Sequence, residues 1–386
     1  MKKLFKSQSL AIGLAMFSMF FGAGNIIFPL ALGQYAGDKN FYAILGLIFT
    51  AVIMPIAGVI AMILFDGNYR HFFGRLGKVP GFLLSLTTIS LLGPLGSTPR
   101  CIALAYTTLK GFVTISPVLF SLLSCVLIFL FSFRKNHILT LLGWVLTPLL
   151  LGSLVFIIIK GLFAPPNLTE MSYESTEMFF YGLKEGYNTM DLLAAFFFSS
   201  TIITILKTRL KSGQTHLNYL YTALYASLIA AFLLAIVYVG FSYLAAFHGS
   251  NLGNTGKDAL LAAITMKIAG EHAGLLVCVT IALACLTTAI ALISAFSDFV
   301  QKEVFREKIS YEVTLILALL LTFFVSTFEF TGISSFLGPI LQICYPGLIV
   351  LTFLNIIHKL GRFKPIKTPV FITFAISAYI YVVELI

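Results

Sequence analysis

Along the chain, long uninterrupted apolar runs alternate with short polar connections, and no segment alternates with period two. Runs of this kind predict membrane-spanning helices. About 20 apolar residues cover a hydrocarbon core, and every backbone group within lipid must be bonded inside its own segment. Eleven spans are predicted, at residues 8–35, 41–65, 81–109, 116–133, 138–160, 187–206, 216–247, 272–300, 310–328, 334–358 and 368–386. The missing period-two pattern excludes a transmembrane β-barrel. The expected architecture is an all-α polytopic membrane protein forming one transmembrane domain over residues 1–386. Residues 8–160 and 187–358 form its two halves and 368–386 a peripheral helix.

Composition agrees. Apolar residues make up 59% of the 386 and charged residues only 10%, with a mean hydropathy of +0.99. A water-soluble globule has about 45–50% and 25% respectively, and it cannot hide the excess apolar surface. A soluble enzyme, a secreted disulfide scaffold and a disordered chain are thereby excluded. All five cysteines lie in apolar runs and none forms a CxxC pair, so they read as packing residues rather than a metal site. The apolar stretch from Leu10 to Leu32 exceeds the h-region of a signal peptide and is expected to stay in the mature protein.

The formal net charge of +10 reflects topology, not nucleic-acid binding. Connections on one side of the predicted spans carry 18 Lys and Arg, those on the other carry six, and Arg100 lies within a span. The positive side is expected to be cytoplasmic. This places the N-terminus inside a cell (inner) membrane and the C-terminus, near Glu384, outside.

Glycine, proline and polar residues cluster inside a membrane helix where its backbone lines a cavity. Within the first span stands Phe20-Phe21-Gly22-Ala23-Gly24-Asn25-Ile26-Ile27-Phe28-Pro29. Glycine weakens a helix and Pro29 clashes with the carbonyl at residue 25, so a discontinuity is expected. Close packing by small residues is the plainer alternative, but Gly22 and Gly24 are two apart and share no face. Freed N–H groups at the start of the following half-helix suit a carboxylate, and freed carbonyls suit a small cation.

Gly186-Tyr187-Asn188-Thr189-Met190-Asp191 opens the sixth span. Asp191 is either a functional intramembrane carboxylate or an interfacial anchor at a helix start. In the eighth span, Ala284-Cys285-Leu286-Thr287-Thr288 offers two adjacent hydroxyls, either as cation ligands or bonded back to their own helix. The third span carries Gly93-Pro94-Leu95-Gly96-Ser97-Thr98-Pro99-Arg100. A buried arginine must face a cavity or a carboxylate, and Asp191 is a candidate partner. Five spans separate the starts of the first and sixth, which inverts their orientation. Broken helices at matching places in opposed five-helix halves point to an inverted-repeat secondary transporter.

The first-span motif resembles the signature of the branched-chain amino acid:cation symporter family. Gly93-Pro94, Pro99-Arg100, Gly186 to Asp191 and Tyr345-Pro346-Gly347 resemble its later motifs. The resemblance covers nearly the whole chain. It implies the five-plus-five inverted-repeat fold of sodium-coupled leucine transporters, with the first and sixth helices discontinuous. It further implies substrate contacts at Gly22, Ala23, Gly24, Asn25, Tyr187, Thr189 and Asp191, and a sodium site at Ser18, Phe21, Ala284, Thr287 and Thr288. Pro29, Pro99 and Arg100 take structural or gating roles, and Phe20, Tyr187 and Phe196 line the pocket. Two departures stand out: Cys101 occupies a position where the family typically has Thr, and eleven spans are predicted where it usually has about twelve.

The function so implied is import of leucine, isoleucine and valine, with methionine as a further candidate, by symport with Na+ or H+. No organic cofactor, enzymatic activity or nucleic-acid partner is expected, and the lipid bilayer is the one macromolecular environment. The chain has no HExxH and no GxSxG, which argues against an intramembrane enzyme, and no repeated filter element, which argues against a channel. A carrier of the same fold for an aromatic amino acid or a nucleobase is the alternative.

Overall fold

The computed structural model describes residues 2–133, 147–163, 166, 168–208, 216–249, 252, 255–361 and 364–385. Among the described residues the regular elements are all helical. They are α1 (Lys2–Phe20), α2 (Ala23–Ala36), α3 (Asn40–Ile48), α4 (Met54–Leu64), α5 (Tyr69–Gly74), α6 (Lys78–Leu92), α7 (Ser97–Leu109), α8 (Pro117–Phe133), α9 (Thr147–Leu162), α10 (Ser175–Thr189), α11 (Asp191–Thr208), α12 (His216–His248), α13 (Leu260–Ala269), α14 (Glu271–Phe299), α15 (Tyr311–Ser326), α16 (Glu329–Gly361) and α17 (Lys367–Leu385). A π-helical turn, Phe49–Ile53, joins α3 to α4 without interruption. Each predicted span is mostly helix where it is described, apart from residues at its ends and three interruptions. The start of the fifth, 138–146, lies outside the described residues, as do Arg134, Lys135, Arg209, Lys211 and Arg362.

Three spans are broken, each where backbone chemistry favours it. Between α1 and α2, Gly22 is extended, with φ −114° and ψ −162°. Between α10 and α11, Met190 is left-handed at φ 64°. The third span is interrupted from Gly93 to Gly96, between α6 and α7. Pro29 departs from expectation. It lies inside α2, well past the break, so the discontinuity rests on Gly22. The sixth span also starts earlier than predicted, at Ser175 rather than 187. Its outer half is amphipathic, with Glu177 and Lys184 on an exposed face while Met178, Gly182 and Glu185 are buried. An apolar-run count overlooks such a segment, as it overlooks the short α5 and α13.

Polar contacts check the two-sided arrangement. Lys207 Nζ donates to Asp66 O at 2.9 Å, Arg75 lies 3.3 Å from His358 Nδ1, and Arg70 pairs with Glu303 at 2.6 Å. These residues all belong to the expected basic side. On the opposite side Lys184 pairs with Glu384 at 2.7 Å, Thr107 donates to Asp258 at 2.9 Å, and the Met171 N–H donates to Asp38 Oδ1 at 3.0 Å.

Asp38 fastens the segment before α10 to the turn after α2. Its carboxyl lies below the usual range, chiefly because the Lys39 ammonium bonds to it and also because it accepts the Met171 N–H. A depressed native value means that this docking operates above the ordinary carboxylate range and is lost as acid protonates Asp38. Asp38→Ala is expected to make the segment before α10 several-fold more sensitive to limited proteolysis at neutral pH, a difference that shrinks in acid. Equal cleavage of both proteins at neutral pH would show that Asp38 does not hold it.

The helices divide into two packed groups. α1 and α2 pack along α12, and α3 packs along α10, while α14 packs along α7 and α8. Small residues allow the closest approaches, as membrane interfaces require. A Cβ added at Gly33 would lie 1.8 Å from Ser242 O, and one at Gly182 would lie 1.9 Å from Ala43 O. Gly33→Ala must therefore push α2 off α12. It is expected to cost about 1–3 kcal/mol or more, read as a lower thermal midpoint of the purified protein. An unchanged midpoint would mean the two helices are not seated this closely. Around the outside the exposed side chains are largely apolar, among them Leu122, Val126, Leu130, Phe324, Ile376 and Val383, as a lipid-facing surface demands.

Candidate functional site

The breaks in the first and sixth spans meet. Gly24 faces the end of α10 so closely that a side-chain carbon there would sit 3.2 Å from Thr189 O and 3.3 Å from Asn188 O. One network ties the two breaks together. The Gly22 N–H donates to Asn25 Oδ1 at 2.9 Å. Asn25 Nδ2 then donates to Asp191 Oδ1 at 2.8 Å and to the Tyr238 hydroxyl. Tyr238 donates to Asp191 Oδ2 at 2.5 Å. Asn25, Asp191 and Tyr238 are all almost fully buried. The bond from Gly22 fixes which way the Asn25 amide points, so its N–H groups must face Asp191.

Asp191 is thus no interfacial anchor. It stands at the inner lip of a break that follows the fifteen-residue helix α10. Nor does it pair with Arg100. The Arg100 guanidinium donates from Nη1 to Asn188 O at 3.0 Å, approaches Met190 Sδ at 3.7 Å, and lies over the Phe28 and Phe330 rings at 5.3 and 5.6 Å. Pro99 sits beside it in the first turn of α7.

The Tyr187 ring stacks on Tyr345 at 4.7 Å. The Tyr345 hydroxyl accepts the Leu192 N–H at 3.0 Å, satisfying one of the donors a helix start leaves open. Thr189 donates to Gly186 O at 2.8 Å, closing the last turn of α10. Phe20 meets Phe198 edge-on at 5.5 Å. Phe196 departs from expectation: its ring packs on Phe72 and Phe73 of α5, because the continuous helix α11 carries it toward the basic side.

The proposed cation ligands also come together. Thr288 Oγ1 reaches across from α14 to one carbonyl in the last turn of α1 and one just past its end, donating to Ser18 O at 3.1 Å and Phe21 O at 2.9 Å. Thr287 instead donates to Ala284 O of its own helix at 2.8 Å. A small cavity of about 10 Å³ lies alongside, lined by Ser18, Ala284, Thr287, Thr280, Leu283 and two leucines of α9. That is room for about one water-sized particle. A hydroxyl has lone pairs to offer as well as a proton. Thr288 and the two carbonyls therefore form an oxygen set suited to a hard cation. Cys101, where a hydroxyl was expected on resemblance, has its sulfur 3.4 Å from the position of a Cβ on Gly22.

Three residues of the site gave no sequence signal of their own. Tyr238 is a lone hydroxyl in an apolar run. Tyr345 stood out only in a motif. Glu185, outside the predicted spans, is buried, accepts a bond from Asn188 Nδ2 at 3.3 Å and lies 3.7 Å from Lys257 Nζ.

Known proteins match this arrangement. The family model described as branched-chain amino acid transport protein matches residues 5–385. Branched-chain amino acid permease BraB of Bacillus subtilis (strain 168) is 31% identical over 367 residues, covering 92% of this chain and 81% of that protein. Branched-chain amino acid permease BrnQ of Corynebacterium glutamicum is 32% identical over 360 residues, covering 92% and 82%. Among solved structures, a manganese transporter of Eremococcus coleocola superposes with a TM-score of 0.66 at 13% identity, covering 99% of this chain and 86% of that one. A Na+-coupled sialic acid symporter superposes with a TM-score of 0.60 at 12% identity, covering 97% and 88%. At such identity these structures speak for the fold alone, the leucine-transporter-like arrangement. The sequence relatives are named as permeases and carriers, which makes this chain a transporter and not an enzyme. The helices broken at Gly22 and Met190, the fold and the match along nearly the whole sequence lead to one conclusion: this chain belongs to the branched-chain amino acid transport protein family.

Proposed function

We propose that this protein is a secondary active symporter that imports leucine, isoleucine and valine, with methionine as a further substrate, coupled to Na+. The observation that carries this reading is the meeting of two broken helices around buried Asn25 and Asp191, beside the Thr288 oxygen set. The chain lies in a cell (inner) membrane with its basic side and N-terminus in the cytoplasm. Its opposed repeats comprise residues 8–160 and, as the earlier start of α10 suggests, a second half opening near Ser175.

Na+ binds first, between Ser18 O, Phe21 O and the Thr288 hydroxyl, with Ala284 O and Thr287 at its edge. Holding the end of α1 against α14 favours the outward-open state. The amino acid carboxylate then sits at the start of α2, around Gly22 to Asn25, where helix N–H groups favour negative charge. Its ammonium meets the carbonyl end of α10 at Tyr187 to Thr189, together with Asp191. The aliphatic side chain packs among Phe20 and Tyr187. Movement of the first, second, sixth and seventh spans against the α7/α14 pair releases both solutes inside. One charge falling through 100 mV supplies roughly 2.3 kcal/mol, and about 1.4 kcal/mol is a tenfold gradient.

A second reading, H+ in place of Na+, is favoured by the buried carboxylate of Asp191 at the helix break. Labelled leucine uptake into proteoliposomes at fixed potential separates the two. A Na+ gradient is expected to drive accumulation, with isoleucine and valine competing. Accumulation under a pH gradient alone would select H+, and no leucine accumulation under either gradient would overturn the transport reading.

A further inference from the structure

The geometry points to Arg100 as the residue that grips the substrate's carboxylate from the third span. The assignment rests on the amino acid transport reading above. Arg100 is 1% exposed. Its Nη1 serves Asn188 O, but Nε and Nη2 are buried with no hydrogen-bond partner. No carboxylate pairs with it among the described residues. A buried guanidinium left in this state is costly, and removing it from the chain would be the cheaper arrangement unless something else fills those donors.

The two unused nitrogens are on one edge of the guanidinium plane, and their N–H bonds run parallel. That edge matches a carboxylate with two oxygens side by side. Its position matches as well. Asn188 O, which Arg100 touches, also faces Gly24 in the first turn of α2. Arg100 and the start of α2 thus meet the same carbonyl. The Phe28 and Phe330 rings, one from α2 and one from α16, pack against the guanidinium. Arg100 and Asp191 contact the backbone or side chains around Met190 from different helices, cation and anion, which is the charge pattern of a zwitterion.

The test compares leucine with leucinol, which keeps the ammonium and side chain and replaces the carboxylate by a hydroxymethyl group. Binding is measured on the purified full chain, wild type, R100M and R100K. Methionine is long and apolar, and a buried charge without a partner is no asset to folding, so R100M is expected to fold. Wild type is expected to prefer leucine over leucinol by about 10- to 100-fold. R100M should lose that preference by weakening leucine alone, and R100K should fall between. Equal weakening of both ligands, or a wild-type preference retained in R100M, would make Arg100 a merely structural support of the α10 end and overturn the assignment. If R100M fails to fold, R100K decides it: weaker leucine binding with unchanged leucinol supports the assignment, and an unchanged ratio overturns it. A wild type that binds neither compound would instead overturn the transport reading, and this assignment with it.

Discussion

Asp191→Asn is expected to reduce leucine uptake about 10- to 100-fold while leaving the protein folded. The expectation follows from the direction of the hydrogen bonds. Asn25 Nδ2 and the Tyr238 O–H both donate to Asp191. An asparagine there keeps its oxygen toward Asn25 and turns its NH₂ toward the Tyr238 oxygen, which accepts once its own proton rotates away. Most of the network survives, the Tyr238 proton must leave its former acceptor, and the negative charge is lost. A hydrogen bond involving a charged group is worth about 1.5–3 kcal/mol, which sets the range through about 1.4 kcal/mol per tenfold. Uptake assays run beside thermal melting check both halves. Full uptake by a folded D191N would remove Asp191 from substrate and proton handling. A collapsed melting midpoint would place it among purely structural residues.

Thr288→Val is expected to weaken the Na+ response of uptake strongly, with Thr287→Val milder. The two threonines are adjacent, yet their hydroxyls do different things. Thr288 spans to Ser18 O on α1 and to Phe21 O just past its end, whereas Thr287 bonds within its own helix. Valine matches threonine in shape and takes one oxygen from the set, so two carbonyls at the end of α1 lose their shared partner. The Na+ concentration giving half-maximal uptake should rise about tenfold or more in T288V. An unchanged Na+ dependence in T288V would put the cation elsewhere. An equal loss in T287V would mean that the ion pulls both hydroxyls toward itself.

Both substitutions test a site whose parts were unequally visible in the one-dimensional pattern. The Gly22–Asn25 motif announced its break, since glycines and a carboxamide at mid-bilayer have few other reasons to be there. Thr287 and Thr288 were visible as a pair, but a hydroxyl in a helix bonds either to its own turn or to a neighbour, and the letters do not say which. Asp191 was left between an intramembrane carboxylate and an interface anchor because amphipathic α10 hid half of the sixth span. Phe196 was expected in the pocket, although its helix turns it toward α5. Tyr238 and Glu185 depended wholly on which helices come together.

What the sequence determined by itself is the solvent the chain lives in and the helical kind of its long elements. Apolar run length and glycine placement act locally, because lipid leaves the backbone no partner but its own helix. It also determined that the first and sixth spans break. Only the tertiary structure decided that those breaks face one another, that Tyr238 and Tyr345 complete them, and that Arg100 stands by Asn188 with an edge unfilled. Such partners come from residues far apart along the chain, and helix packing is selected by the summed fit of small side chains, as at Gly33 and Gly182, which no short motif encodes.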